Sequence, residues 1–322
     1  MYLLSRCSVN MVKYDINNMN KNRSVHYLIR RIQGLTAGEI LSITGIKIRT
    51  TIFYIFSRNR SIVLANRRGN GIKAYWYRRE KNFGDLITPL VLRHYGFTPI
   101  YTKPHKADLI STGSILERIS EDYQGIVLGS GFINEGSNPV MKNAQFLSVR
   151  GKLSKNKLDL NDEVLYGDPG LIAAKLLKKR EMKRYKLGIV PHWIDRNDEF
   201  VKNIKSRNNN EITIIDVRQN PLQVFKEIDQ CEHIISSSLH GLIVADSFHI
   251  PNAWLSSSKV IGDGFKFNDY YSSINVQRKP ISVNGTESLD ELISKTDSKP
   301  ISDIERVKHD VDKLFKSLHS YL

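Results

Sequence analysis

The first 80 residues mix apolar and basic positions without a sustained period, as in His26-Tyr27-Leu28-Ile29 and Thr51-Ile52-Phe53-Tyr54-Ile55-Phe56. From Asn82 onward, short apolar runs alternate with segments of three- and four-residue spacing, which predicts parallel strands separated by helices. Asp85 to Tyr95 reads as a helix closed by Gly96, and Pro89 is tolerated because it falls near the first turn. Asp108–Ser111, Ile126–Leu128 and Phe146–Val149 read as buried strands. Val164–Leu165 then leads through Gly167-Asp168-Pro169-Gly170 into a helix from Leu171 to Lys179, with basic residues at its C-terminus.

A charged stretch, Lys178 to Lys186, precedes a second series of the same kind. Its predicted strands are Leu187–Val190, Ile212–Ile215, His233–Ser236 and Ala253–Leu255; its helices are Asp198–Lys205, Pro221–Gln230 and Leu239–Phe248. Ile304, Val307, Val311, Leu314 and Leu318 recur at helical spacing after a Ser302 N-cap, and this last helix is expected to pack back on the body. The fold expected is α/β, with two Rossmann-like domains facing a cleft. Residues 1–75 form a basic N-terminal segment, 76–182 the first domain and 183–322 the second.

Composition adds limits. At 322 residues, 40% apolar and 25% charged, the chain has enough core for two domains and is unlike a disordered, collagen-like or disulfide-stapled protein. Cys7 and Cys231 have no paired spacing, so neither a disulfide framework nor a four-cysteine zinc site is expected, and a reducing compartment is the natural reading. The opening Met-Tyr-Leu-Leu-Ser-Arg is too short an apolar run for a signal peptide. Ile40 to Phe56 carries Lys47 and Arg49 in its middle and is not expected to span a membrane.

The net charge of +15 is concentrated at one end: residues 1–80 hold 15 Lys+Arg against 3 Asp+Glu, and residues 81–322 hold 33 against 30. An anionic membrane surface, a solvated basic face packed on the body, or nucleic acid would each account for it. No nucleic-acid module is recognisable between the charges, so docking at a membrane surface is favoured and nucleic acid is not expected as a partner.

Ligands of open α/β sheets sit beyond the carboxyl ends of the strands. That rule selects Gly129-Ser130-Gly131, Arg150, Asp168, Pro191-His192-Trp193, Asp216 and Ser236-Ser237-Ser238-Leu239-His240-Gly241. In the last segment three hydroxyls meet a helix N-terminus, a natural anion site, with His240 in the first turn as a general acid or phosphate ligand. The plainer reading is a serine-rich cap over a packed histidine. His192 is a candidate for proton transfer or a structural histidine. Arg150 is a candidate carboxylate or phosphate anchor or one half of a salt bridge. Asn82-Phe83-Gly84-Asp85 opens a helix, where Asn82 or Asp85 is expected as a cap in any case, and Asp168 is also read as a turn residue. The sequence has no Walker loop, no complete Gly-x-Gly-x-x-Gly after a strand, no His-Glu-x-x-His and no Gly-x-Ser-x-Gly, and its histidines lack metal-ligand spacing. No metal and no cofactor are expected.

The chain resembles the polysaccharide pyruvyl transferase family over residues 75–275. The matching segments are Asn82-Phe83-Gly84-Asp85, Leu128-Gly129-Ser130-Gly131, Ser148-Val149-Arg150-Gly151, Tyr166-Gly167-Asp168-Pro169-Gly170, Ile189-Val190-Pro191-His192 and Ser236-Ser237-Ser238-Leu239-His240-Gly241-Leu242, closing with Ile250-Pro251-Asn252-Ala253-Trp254. The resemblance implies a GT-B-like fold and transfer of a pyruvyl group from phosphoenolpyruvate to a sugar of a surface polysaccharide or its lipid-linked precursor, forming a pyruvate ketal. It implies a bacterial exopolysaccharide or capsule enzyme in the cytoplasm, peripheral at the inner face of the membrane. His240 and Arg150 become active-site residues: His240 as phosphate contact or acid, Arg150 as donor anchor, with His192 for acid/base work. Asn82, Asp85, Gly129, Ser130, Gly131, Asp168, Ser236, Ser237, Ser238, Leu239 and Gly241 become binding residues. Members often carry Arg two positions before the matching His; here that place is Ser238, so another basic residue must help. A glycosyltransferase using a nucleotide sugar is the alternative the same scaffold allows.

Overall fold

The computed structural model describes residues 54–136, 141–207, 209–257, 259 and 261–322. By contact the chain divides into two units, Met1–Arg60 and Ser61–Leu322. Of the first, 54–60 are described, as the start of a helix over 54–68. The rest of the basic segment, Cys7 included, lies outside the described residues.

The second unit holds two all-parallel sheets. The first comprises β1 (Gly71–Tyr75), β2 (Thr98–Tyr101), β3 (Leu109–Ile110), β4 (Ile126–Ser130), β5 (Gln145–Val149) and β6 (Leu165–Tyr166), in the order β2-β1-β3-β4-β5-β6. Its helices are α1 (Ile87–His94), α2 (Lys152–Lys157) and α3 (Ala173–Leu176). The second sheet comprises β7 (Tyr185–Val190), β8 (Ile212–Ile214), β9 (Cys231–Ser236) and β10 (Asn252–Trp254), in the order β10-β9-β7-β8. Its helices are α4 (Glu199–Ser206), α5 (Pro221–Asp229) and α6 (Leu239–Ser247); α7 (Phe265–Ser273), α8 (Leu289–Ser294) and α9 (Ile301–Lys316) follow.

Parallel strands covered on both faces should be apolar throughout rather than alternating. All five residues of β4 are buried, as are the last four of β7. β1 and β2 escape the sequence pattern: β1 alternates around Lys73, and β2 contains Pro99, which a sheet accepts because β2 is an edge strand. The helix predicted from Leu171 is shorter than expected. A 3-10 turn at Pro169–Ile172, capped by Asp168 through its bond from the Gly170 amide, hands over to α3.

One apolar cluster joins Ile72, Leu109 and Leu128 under the first sheet to Val190 and Ile234 under the second, and to Val311 and Phe315 of α9. In α9, Ile304, Val307, Val311 and Leu314 are all buried, each removal from water being worth about 1.5–3 kcal/mol. The helix begins at Ile301 with Pro300, not Ser302, at its N-cap. Its Phe315 ring stacks on Tyr95 with centroids 5.3 Å apart.

Candidate active site

His240 lies in the first turn of α6, where β9 ends in three serines. Its side chain is 8% exposed, with Nε2 3.5 Å from Oδ2 of Asp168, and neither atom has another hydrogen-bond partner. The other Asp168 oxygen, Oδ1, accepts the Gly170 amide at 2.8 Å, which fixes the carboxylate. On the opposite side, Gly84 lies against the imidazole so closely that a methyl group there would overlap the ring. Phe83 meets the same ring edge-to-face. Two predicted segments, Asn82–Asp85 and Gly167–Gly170, thus close around one histidine from the first sheet's side.

The three serines divide. Ser236 Oγ donates to the carbonyls of Val190 and Ser238 and accepts the Ser238 amide, so it builds the turn. Ser237 Oγ donates to Asp195 Oδ2 at 2.6 Å and accepts the His192 amide at 2.9 Å. Ser238 Oγ makes neither kind of bond among the described residues. It stands with the amides of Leu239 and His240, which a first helical turn leaves without carbonyl partners. Gly241 packs against Ser236 and Val190, where a Cβ would be 2.9 Å from the Val190 side chain.

His192 follows β7, and its Nδ1 faces the Ile194 amide at 3.5 Å, an orientation that leaves Nε2 as the nitrogen carrying the proton. Burial, then the charges of Lys266 and His240, push this imidazole down to about 3, so it is neutral at physiological pH. Asp195 on the same loop accepts from Ser237 and, at 2.6 Å, from Ser257. Burial nonetheless raises its carboxyl above the ordinary value.

Arg150 is fully buried. Its Nε donates to Asp269 Oδ2 at 2.9 Å, Nη1 to the Ser114 hydroxyl and Nη2 to the Phe132 carbonyl. Asp269, also fully buried, accepts from the Ser154 amide and hydroxyl as well. Gly131 and Gly151 make room: a Cβ on Gly131 would come 2.7 Å from the Arg150 guanidinium carbon, and one on Gly151 would overlap the Asp269 backbone. Of the two readings open from sequence, the geometry is that of the salt bridge. Ser130 is likewise structural, donating to the Gly113 carbonyl at 2.8 Å, and Gly129 adopts a φ of +83° against Pro169.

Two ionisable groups complete the charge pattern. Burial pushes the Asp85 carboxyl up to about 6, against the opposing pull of His240, the Asn82 amide and Lys266. Asn82 Nδ2 donates to Asp85 Oδ2 at 3.2 Å, and its Oδ1 accepts the Gly84 amide. Lys266, in the first turn of α7 after Gly264 at φ +82°, is 9% exposed and forms no ion pair among the described residues. Burial and then the Arg150 charge bring its ammonium down to about 8, while Asp85 and Asp195 hold it up.

His240, Asp168, Asp85, Asn82, His192 and Ser238 therefore come together, while Arg150, Ser130, Ser236 and Ser237 form the frame. Lys266, Asp269 and Asp195 carry charge in the site and escaped sequence reasoning. The one signal for Lys266 and Asp269 is the Gly262-Asp263-Gly264 turn before an aromatic-rich segment without apolar periodicity. Among the described residues no cluster of three His, Cys, Asp or Glu could hold a metal ion, and no helix is long and apolar enough to cross a membrane.

A family model for polysaccharide pyruvyl transferase matches residues 13–259, a span that contains His240, Asp168, Asp85 and the turns that enclose them. The chain belongs to the polysaccharide pyruvyl transferase family. It is similar to the "Succinoglycan biosynthesis protein ExoV" of Rhizobium meliloti (strain 1021), 31% identical over 218 residues, covering 65% of this chain and 66% of that one. It is also similar to the "Uncharacterized protein L143" of Acanthamoeba polyphaga mimivirus, 30% identical over 170 residues, 49% of this chain and 58% of that one. The matches therefore span less than two thirds of either relative. Among solved structures, an uncharacterized protein of Klebsiella pneumoniae aligns with 14% identity and a TM-score of 0.39, over 70% of this chain and 97% of that one.

Proposed function

We propose that this pyruvyl transferase family member moves a pyruvyl group from phosphoenolpyruvate to a sugar of a surface polysaccharide or its lipid-linked precursor, releasing phosphate and closing a pyruvate ketal. The observation that carries the reading is the His240–Asp168 pair set beside the Asp85 carboxylate and the Lys266 ammonium. The name of the Rhizobium relative, which refers to succinoglycan biosynthesis, supports a polysaccharide acceptor. The same reading takes the two sheets as Rossmann-like halves of a GT-B-like cleft.

Phosphoenolpyruvate is a dense anion and needs cations. With Ser238 where the family often has Arg, Lys266 supplies the charge, and the Ser238 hydroxyl with the Leu239 and His240 amides receives phosphate oxygens. His240, with Asp168 beside its Nε2, protonates the methylene carbon. The adjacent carbon gains oxocarbenium character, and Asp85 draws the proton from the sugar hydroxyl that attacks it. The carbon–oxygen bond to phosphorus breaks with its electron pair on the departing phosphate, and a second hydroxyl closes the ring. Of the two hydroxyl protons, one restores the acid and one leaves with phosphate. Neutral His192 donates a hydrogen bond from Nε2 to a ligand oxygen. Arg150, its three nitrogens engaged, is a positioning residue that holds the Ser114 and Phe132 loops to α7.

The test is phosphate release from phosphoenolpyruvate with galactose, glucose and mannose-type glycosides, free and lipid-linked. Release should depend on one acceptor and vanish in His240→Ala, with an unchanged melting curve. Full activity of that variant overturns the residue assignment, and no release with any acceptor overturns the reading.

A further inference from the structure

Next to His192, with Trp193 in its lining, lies a cavity of about 230 Å³ at the carboxyl ends of β7 and β8. Trp193, Arg196, Asn197, Lys205, Asp216 and Arg218 line it. No step assigned above uses any of them. Pro191 and Trp193 flank His192 in the chain, and the His192 and Trp193 rings have centroids 5.6 Å apart, so the cavity opens next to the proposed reaction centre.

Its charge is unbalanced. Arg218 is neutralised by Asp216 through a forked pair, Nε to Oδ1 at 2.9 Å and Nη2 to Oδ2 at 2.6 Å. Arg196 and Lys205 have no ion-pair or hydrogen-bond partner among the described residues, although the Arg196 charge reaches Asp216. Three cations against one carboxylate leave a surplus of two positive charges around a space of diphosphate size, walled on one side by an indole. A diphosphate diester carries two negative charges, and an indole face accepts the C–H face of a sugar or a nucleobase equally well.

We infer that this cavity is a second ligand site, which holds the diphosphate of a glycosyl diphosphate and stacks the attached ring on Trp193. As the acceptor's position it rests on the proposed pyruvyl transfer. Both a polyprenyl-linked and a nucleotide-linked sugar carry this chemistry.

Calorimetric titration of the full chain with geranyl diphosphate, UDP, methyl phosphate, phosphoenolpyruvate and methyl galactoside tests it. Both diphosphates, or one of them, should bind in a salt-sensitive manner; geranyl diphosphate alone marks a lipid-linked source, UDP alone a nucleotide. Arg196→Ala/Lys205→Ala, both exposed positions, should weaken diphosphate binding by roughly tenfold or more. Trp193→Phe should cost less. Phosphoenolpyruvate affinity should change far less in the double variant than diphosphate affinity. Absence of diphosphate binding, equal binding by the double variant, equal affinity for methyl phosphate, or a matching loss of phosphoenolpyruvate affinity overturns the inference. The titrations do not require turnover. Failure to consume phosphoenolpyruvate with any acceptor would overturn the pyruvyl-transfer reading and leave the cavity to be judged on diphosphate binding.

Discussion

Nε2 of His240 stands 3.5 Å from Oδ2 of Asp168, both atoms buried and neither with a hydrogen-bond partner among the described residues. A carboxylate so placed faces the ring nitrogen and holds the orientation of the imidazole in the pocket. Asp168→Asn keeps the oxygen that caps Gly170 but loses the charge. Turnover with phosphoenolpyruvate should fall about 10²–10⁴-fold, the range of a lost general acid. The melting temperature should move little, and wild-type turnover in this variant would separate Asp168 from catalysis.

Gly84 is a second constraint on the same ring, because it leaves no space for a side chain against the imidazole. Gly84→Ala should displace His240 and cost about 1–3 kcal/mol of stability through overpacking. Denaturant unfolding reads the second effect, and acceptor-dependent phosphate release the first.

The pH profile of kcat/KM should be bell-shaped. Its acid limb rises as Asp85 loses its proton near about 6, and its alkaline limb falls as Lys266 loses its own near about 8. Asp85→Asn should flatten the acid limb at low activity, and Lys266→Arg should carry the alkaline limb upward. Profiles unchanged in both variants would remove these two groups from the reaction.

Lys266 also makes a stability prediction. Its pKa is 10.5 when free and about 8 in the fold, so folded protein resists protonation. A cation with a lowered folded pKa costs stability as pH falls from 10.5 through 8, and the cost is complete at pH 7. Lys266→Met should therefore be more stable than the wild type at pH 7, by on the order of 3 kcal/mol, and the advantage should shrink as pH rises from 8 and be gone above 10.5. The same variant should lose phosphoenolpyruvate affinity. Gain in stability with loss of function is the mark of a residue kept for its site.

Arg150 and Asp269 are both fully buried, so removing one strands the other's charge. Asp269→Ala should cost about 3–5 kcal/mol, and replacing both partners by apolar side chains should recover part of it. Chemical denaturation of the two variants distinguishes the pair from a surface bridge.

The strands that sequence revealed most plainly are those with uninterrupted apolar runs, such as Ile126–Leu128 and Leu187–Val190, because full burial leaves no polar position to confuse the period. β2 was hidden by Pro99 and β1 by its half-exposed alternation, both consequences of lying toward a sheet edge. That His240, Asp168 and Asp85 lie near one another was legible because each follows or opens an element at the carboxyl end of a sheet. The roles of the serines and Arg150 were not, since whether a hydroxyl or guanidinium faces ligand or frame depends on what packs opposite. Asp195 and Asp269 decide that here, and both come from distant loops and helices. α7 itself gave no helical signal: Phe265-Lys266-Phe267-Asn268-Asp269-Tyr270-Tyr271 is buried nearly all round.

Pyruvyl transfer with a ketal product is read out by running the reaction with phosphoenolpyruvate and the productive glycoside in deuterated water and weighing the sugar product. The expected product is heavier than the acceptor by pyruvic acid less water, with one deuterium in the new methyl group and phosphate released in equal amount. An acceptor that gains no pyruvyl mass, or that gains a hexose from a nucleotide sugar instead, would contradict it.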